Sequence, residues 1–262
     1  MDAEAAGALL SEAFGALAEQ PSLLRVTAKR VIVVGDTHGD ITTSWAAVND
    51  HMDEGTTLLF LGDYVDRGPF QIENVQFLLK KFLELSGRVL LLRGNHETPE
   101  MNESYGFADA VARRYGPPVH RRFLSVFAQL PITAIVNDVF LAVHGGIART
   151  LRSVDQLSTL PKGVISPEGI LAEVMWNDPD ENVEGFEPSP RGPGIFRYGP
   201  DVLSEFLRAN KLKGMLRSHE PREEGAAVEM GGMLYTVFSC RYYGVTPGYL
   251  DVDGDRVLLK KF

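Results

Sequence analysis

Three times in the first hundred residues an unbroken apolar run stops at or beside a glycine and gives way to a polar cluster. Val31–Val34 precedes "GDTHGD", Leu58–Leu61 precedes "GDYVDRG", and Val89–Leu92 precedes "RGNHE". Runs without polar alternation are apolar on both faces, as strands covered on both sides must be. Between them, "TTSWAAVNDHM" and "FQIENVQFLLKKFLELSG" carry helical spacing, the second ended by Gly87. Apolar strands alternating with helices specify βαβ units around a buried sheet, and hence an α/β fold.

The rest of the chain extends that frame. "EAAGALLSEAFGALAEQPS" places Leu9, Leu10, Phe14 and Leu17 on one helical face and stops at Pro21. Residues 102–130 look helical, with a break near "RRYG". "PITAIVNDVFLAVHGG" predicts two strands around an Asn137-Asp138 turn. "VLSEFLRANK" is a helix. "KGMLRSHE", "GGMLYTVFS" and "GYLDVDGDRVLLKKF" are strands, the last turning at Asp253-Gly254. The stretch 177–200, rich in Pro, Gly and acid, is expected to be a long loop, and loops of that length are often functional. The expectation is one domain over residues 1–262, with 1–26 as an N-terminal helical extension packed on it.

With 26 Lys and Arg against 35 Asp and Glu, the formal charge is −9. A chain this acidic, with no Lys/Arg run longer than two, lacks the electrostatic footprint of a nucleic-acid or anionic-membrane binder. No apolar run reaches the length of a membrane span, and "MDAEAAGALL" does not read as a secretory leader. The single cysteine, Cys240, excludes an internal disulfide framework and fits a reducing compartment. A cytoplasmic location is the expectation.

Sites in α/β sheets form outside the carboxyl ends of strands. Five such ends, in "VVGDTHGD", "FLGDYVDRG", "LRGNHE", "AVHGG" and "LRSHE", would gather Asp36, His38, Asp63, Asn95, His144 and His219. Carboxylate, amide and imidazole donors together suit Mn, Fe or Zn better than calcium. Two such ions about 3.5–4 Å apart would clamp both oxygens of a phosphoryl displacement. His51 and His120 lack this punctuation and are assigned structural places.

"GDTHG", "GDYVDRG" and "GNHE" resemble the three signatures of the phosphoprotein phosphatase family, the class of protein phosphatases 1 and 2A and calcineurin. Later segments narrow the match. "WNDPDENVEGFEPSPRGPGIFRYG" is similar to the "WSDPD…RG…FG" loop of eukaryotic-type serine/threonine phosphatases, "LRSHEP" to "RAHQ", and "FSCRYYG" to "FSAPNYCG". The resemblance runs from about Leu10 to Asp253, and the chain looks like a compact, archaeal-like catalytic domain. It implies a calcineurin-like metallophosphoesterase fold, a central β-sandwich flanked by helices. It also implies two divalent metals, Mn²⁺ in vitro with Fe or Zn as native alternatives, and hydrolysis of phosphoserine and phosphothreonine by a metal-activated water. Asp36 and His38 then bind the first ion, Asp63 bridges, and Asn95, His144 and His219 complete the second. Arg67 and Arg191 grip the phosphate with help from Asn95, His96 is the general acid oriented by Asp66, and Tyr243 lines the pocket. Phosphoprotein substrates are the implied partners, with regulatory subunits unassigned.

There are departures from the pattern. Asp40 stands where the family usually has Gln, Arg241 stands at the Pro position, and Gly244 at the familiar Cys position, so Cys240 is expected to be packed. The loop after Tyr243 is shorter than the family's. A small-molecule phosphoesterase such as a dinucleoside tetraphosphate hydrolase, a phosphotyrosine-directed relative and a non-catalytic scaffold are the competing functions. Known scaffolds lose ligands, and here every ligand position is filled.

Overall fold

A computed structural model describes all 262 residues. Two sheets face each other. The five-stranded sheet runs β14 (Arg256–Lys261), β13 (Gly248–Asp253), β2 (Arg30–Val34), β3 (Thr56–Phe60), β4 (Val89–Leu91). The six-stranded sheet runs β1 (Leu23–Val26), β5 (Thr133–Val136), β6 (Phe140–Val143), β10 (Gly214–Arg217), β12 (Leu234–Val237), β11 (Ala226–Glu229). The three apolar runs of the sequence became β2, β3 and β4, paired in parallel.

Their lack of alternation has a direct cause. Val31, Val33 and Leu59 point into the sandwich, against Ala134, Val136, Ala142, Leu216 and Val237 of the other sheet. Their neighbours Ile32, Val34, Leu58 and Phe60 point outward into a helical layer. That layer comprises α1 (Ala3–Ala18), α2 (Ile41–His51), α3 (Gln71–Glu84), α5 (Phe107–Tyr115) and α6 (Pro117–Phe127), with the short α4 (Pro99–Tyr105) leading into it. On the far side, α7 (Val154–Ser158), α8 (Ile170–Trp176) and α9 (Pro200–Ala209) cover the six-stranded sheet. A β-sandwich flanked by helices results. No helix is long and apolar enough to cross a membrane.

Two expectations are corrected. Residues 1–26 are not a wholly helical extension: the helix ends at Ala18, and Leu23–Val26 is the edge strand β1, parallel to β5. Pro21 cannot continue a helix, and Leu23, Leu24 and Val26 gain burial by extending into the sheet. Residues 177–200 are not all loop. They hold a three-stranded sheet, β7 (Asp178–Pro179), β9 (Phe196–Tyr198), β8 (Phe186–Pro188), with Tyr198 fully buried. Strands of two or three residues are too short to show any period in sequence.

Candidate active site

The carboxyl ends of the parallel strands in both sheets open on one edge of the sandwich. The sheets are stitched there by an isolated parallel bridge between Asp36 and Phe238. Gly35 is required at that seam, because a Cβ would lie 2.2 Å from the Val237 carbonyl oxygen. Gly62 meets a similar demand with φ +112° and the Gly94 nitrogen 2.3 Å from where its Cβ would be.

The turns beyond the strands are strained. Of nine non-glycine residues with positive φ, five are His38, Asp63, Asp66, Arg67 and His219. Such conformations cost about 1–3 kcal/mol each and persist only where surroundings over-determine them. Here they do. The buried Glu97 carboxylate accepts the backbone N–H groups of Asp63 (2.8 Å), Tyr64 (2.9 Å) and Gly94 (2.9 Å). Asp63 Oδ1 accepts the His96 N–H at 2.9 Å, and Asp36 Oδ1 that of His219 at 2.9 Å. Burial and the adjacent Asp63 charge push the Glu97 carboxyl up to about 7.

All six predicted ligands meet in one buried cluster. His38 Nε2 lies 3.6 Å from both Asp36 Oδ2 and Asp63 Oδ2. His144 Nε2 faces Asn95 Oδ1 (2.9 Å), His219 Nδ1 (3.1 Å) and Asp63 Oδ1 (3.4 Å). The second nitrogens decide what these contacts mean. His38 Nδ1 is 2.8 Å from the Val65 carbonyl and His144 Nδ1 is 3.0 Å from that of Leu61. A carbonyl accepts only, so each Nδ1 carries a proton, and it is Nε2 that faces the cluster, where a neutral ring would offer its lone pair. Lone pairs converging on carboxylates call for a cation between them. His219 turns its Nδ1 to the same cluster, while its buried Nε2 lies 3.9 Å from Asp178 Oδ1. The donor set therefore fits two divalent ions that share Asp63, one beside Asp36 and His38, the other beside Asn95, His144 and His219.

Without an ion, protons supply part of that charge. Burial alone would lower His38, but the adjacent carboxylates of Asp36 and Asp63 push it up to about 9. Burial would raise Asp63, yet the surrounding His144, His96 and His38 hold its carboxyl well below the usual range. His219, buried beside His144, stays well below the ordinary imidazole range.

A cavity of about 460 Å³ opens directly over this cluster, and Arg67, His96, Arg191 and Tyr243 all line it. His96 Nδ1 donates to Asp66 Oδ2 at 2.8 Å, which turns its Nε2 toward the cluster, 4.0 Å from Asp63 Oδ2. Asp66 is itself pinned by the Phe107 N–H (2.9 Å) and Asn102 Nδ2 (3.2 Å). The Arg67 guanidinium stacks over Tyr105 (4.1 Å) and lies 5.5 Å from the Tyr243 ring, with no carboxylate partner. Arg191 donates from Nε and Nη2 to Asp178, and the fully buried Arg217 holds the same carboxylate at 3.1 Å.

Sequence patterns did not single out Glu97, Asn102, Tyr105 and Arg217 as supporting residues. Glu97 and Arg217 sit inside recognisable motifs, but Asn102 and Tyr105 carry no signal. His51 stands apart from the site, its ring 4.6 Å from that of Tyr249. Cys240 is buried and packed, its thiol pushed up to about 12 by burial.

Comparison with known proteins identifies the family of the fold. Residues 29–223 match the family model described as calcineurin-like phosphoesterase. A protein phosphatase 2A catalytic subunit from Dictyostelium discoideum is 38% identical over 218 residues, covering 81% of this chain and 69% of that protein. A probable serine/threonine-protein phosphatase of Encephalitozoon cuniculi is 37% identical over 222 residues, 83% of this chain but only 48% of its own length. Among solved structures, a serine/threonine phosphatase from Saccharomyces cerevisiae with similarity to human PP5 superposes with TM-score 0.93 at 28% identity. That match covers 100% of this chain and 90% of the other.

Proposed function

Since the chain belongs to the calcineurin-like phosphoesterases, and within them to the serine/threonine-protein phosphatases, we propose that it hydrolyses phosphoserine and phosphothreonine monoesters of proteins. The observation that carries this is the placing of two arginines and a carboxylate-paired histidine on one cavity, directly over a double cation cradle. Two divalent ions bound there, with Mn²⁺ the choice in vitro, would supply Lewis acidity and an activated water.

The chain's own residues divide the remaining work. Arg67, free of any carboxylate, grips the phosphate with its planar fork. Arg191 grips from its own loop, held by Asp178, and Asn95 adds an amide donor. His96, kept in orientation by Asp66, carries a proton on Nε2 to the departing serine or threonine oxygen, whose alkoxide is too basic to leave alone. Tyr243 walls the pocket beside Arg67. No serine or cysteine nucleophile is needed, and Cys240 is too buried and too weakly acidic to act as one. The Dictyostelium relative is by name a catalytic subunit, which supports regulatory partners for this chain.

The test is a comparison of kcat/KM on phosphoserine, phosphothreonine and phosphotyrosine peptides and on dinucleoside tetraphosphate, with Mn²⁺ present. Preference for the first two is expected. A higher value on the dinucleotide or on phosphotyrosine overturns the assignment in favour of that substrate.

A further inference from the structure

The two departures from the family pattern, Asp40 and Arg241, lie 201 positions apart in sequence and touch. Asp40 Oδ2 accepts both the Arg241 backbone N–H (3.1 Å) and its Nε (2.9 Å), while Arg241 Nη2 reaches Thr43 Oγ1 at 3.2 Å. Asp40 is fully buried and is also the N-cap of α2, accepting Thr43 N–H at 3.2 Å and Thr43 Oγ1 at 2.8 Å. One carboxylate thus ties together the helix start just beyond His38 and the tight turn Arg241–Tyr243.

That turn is a wall of the cavity. The Tyr243 ring lies stacked 5.4 Å from that of His38 at an interplanar angle of 26°, and edge-on to Phe238 at 4.8 Å. Tyr242 packs so closely on Gly68, next to Arg67, that a Cβ there would be 3.1 Å from its ring. The Arg67 guanidinium lies between Tyr105 and Tyr243. Three consecutive residues therefore address three loops: Arg241 the helix cap, Tyr242 the Arg67 turn, and Tyr243 the His38 ring.

We propose that Arg241, through Asp40, is a positioning residue that clips the Tyr242–Tyr243 turn onto the His38 and Arg67 loops and so sets the phosphate grip of Arg67. Within the Tyr243 turn a single backbone bond, from the Gly244 N–H to the Arg241 carbonyl at 3.3 Å, closes the chain on itself. Arg241 stands where a proline would limit φ by its ring, and Gly244, in the left-handed region at φ 71°, ends the turn. The ion pair takes over what a stiff backbone would do. Its carboxylate is buried and its guanidinium half exposed, so the clip closes from the solvent side over an anchored base.

The inference rests on the phosphatase reading above, and the experiment separates the two. Asp40→Asn keeps a good helix cap while removing the charge, and Arg241→Ala removes the other half. Each is expected to raise KM for phosphopeptide and Ki for inorganic phosphate about five- to tenfold, the scale of one ordinary hydrogen bond, with kcat changed less than about threefold. Arg241→Lys should recover part of the loss. The double variant should be no worse than the more affected single one, because both remove the same contact. Hydrogen exchange on the metal-free protein should quicken in residues 238–248 of Arg241→Ala and not in β2 or β3. Unchanged KM, Ki and exchange, or effects of the two substitutions that simply add, would overturn the clip. Wild-type protein that cleaves no phosphomonoester in the presence of Mn²⁺ would instead overturn the functional reading, leaving the exchange result to judge the clip alone.

Discussion

The metal cradle and the Arg191 segment serve one cavity but are built in opposite ways. The cradle residues sit on short turns directly beyond buried strands of three to five residues, and Glu97, Asp36 and Asp63 hold those turns with hydrogen bonds to backbone. Arg191 lies in a segment of very short strands and depends on one shared carboxylate, with its own side chain about a third exposed. Strain is tolerated where many contacts over-determine a turn. Reach and adjustability come from a partly exposed side chain held by one carboxylate. On the proposed function, a cradle has to fix ligand atoms closely, whereas a clamp has to meet a phosphate arriving on a large and variable substrate.

On that contrast, damage to the cradle should be total and damage to the clamp graded. Asp63→Asn should give the largest effect, since Asp63 lies between both halves of the cluster. Loss of metal retention and activity together is expected, read by elemental analysis after gel filtration. An active variant holding two metals per chain would break the comparison at its stronger end.

His96→Asn comes next. It should lower kcat on alkyl phosphoesters by about 10²–10⁴-fold, the usual scale for a general acid, with metal content intact. The loss should be smaller on p-nitrophenyl phosphate, whose leaving group needs less protonation. Equal losses on both substrates would move His96 into the cradle, which its 4.0 Å approach to Asp63 makes a pointed question.

Arg191→Ala should lower kcat/KM by roughly 2–4 kcal/mol of transition-state stabilisation, weaken inhibition by phosphate and leave the metals bound. Arg191→Lys should restore only part, because an ammonium cannot make the forked contact. Unchanged phosphate inhibition in the alanine variant would return Arg191 to a solvated loop.

The smallest effect calibrates the others, at an anchor remote from the cavity. Arg30 holds Asp251 of β13 through two bonds of 2.9 and 2.8 Å and keeps its carboxyl below the usual range. A depressed acid adds stability that is present above its unfolded pKa of about 3.9 and is lost as pH falls through the lower folded value. Asp251→Asn should therefore cost under about 1 kcal/mol at pH 7 and progressively less as acid is added. Urea midpoints at pH 7 and in acid measure this, and a penalty that grows on acidification would contradict the ion-pair account.

The cradle was legible in sequence for the same reason that it is rigid. Strand, glycine and ligand follow one another within a few residues at "GDTHG", "GDYVDRG" and "GNHE", so local sequence fixes both the turn and the donor it presents. The apolar runs before them have no period because each strand is covered on two faces, and that too can be read directly. Arg191 could be singled out by its order in a motif, but the sheet around it could not, because strands of two or three residues carry no pattern.

What only the tertiary structure decided are the pairings between distant segments. Which nitrogen of His38 and His144 faces the cluster depends on carbonyls of Val65 and Leu61. Leu23–Val26 became a strand because β5 offered an edge, not because its own four residues demanded one. Asp40 and Arg241 each looked like an isolated departure and proved to be two halves of one contact. Local sequence sets conformation through sterics and burial period, both short-range. Hydrogen-bond partners across 30 to 200 positions exist only once the sandwich has closed and brought its strand ends to one edge.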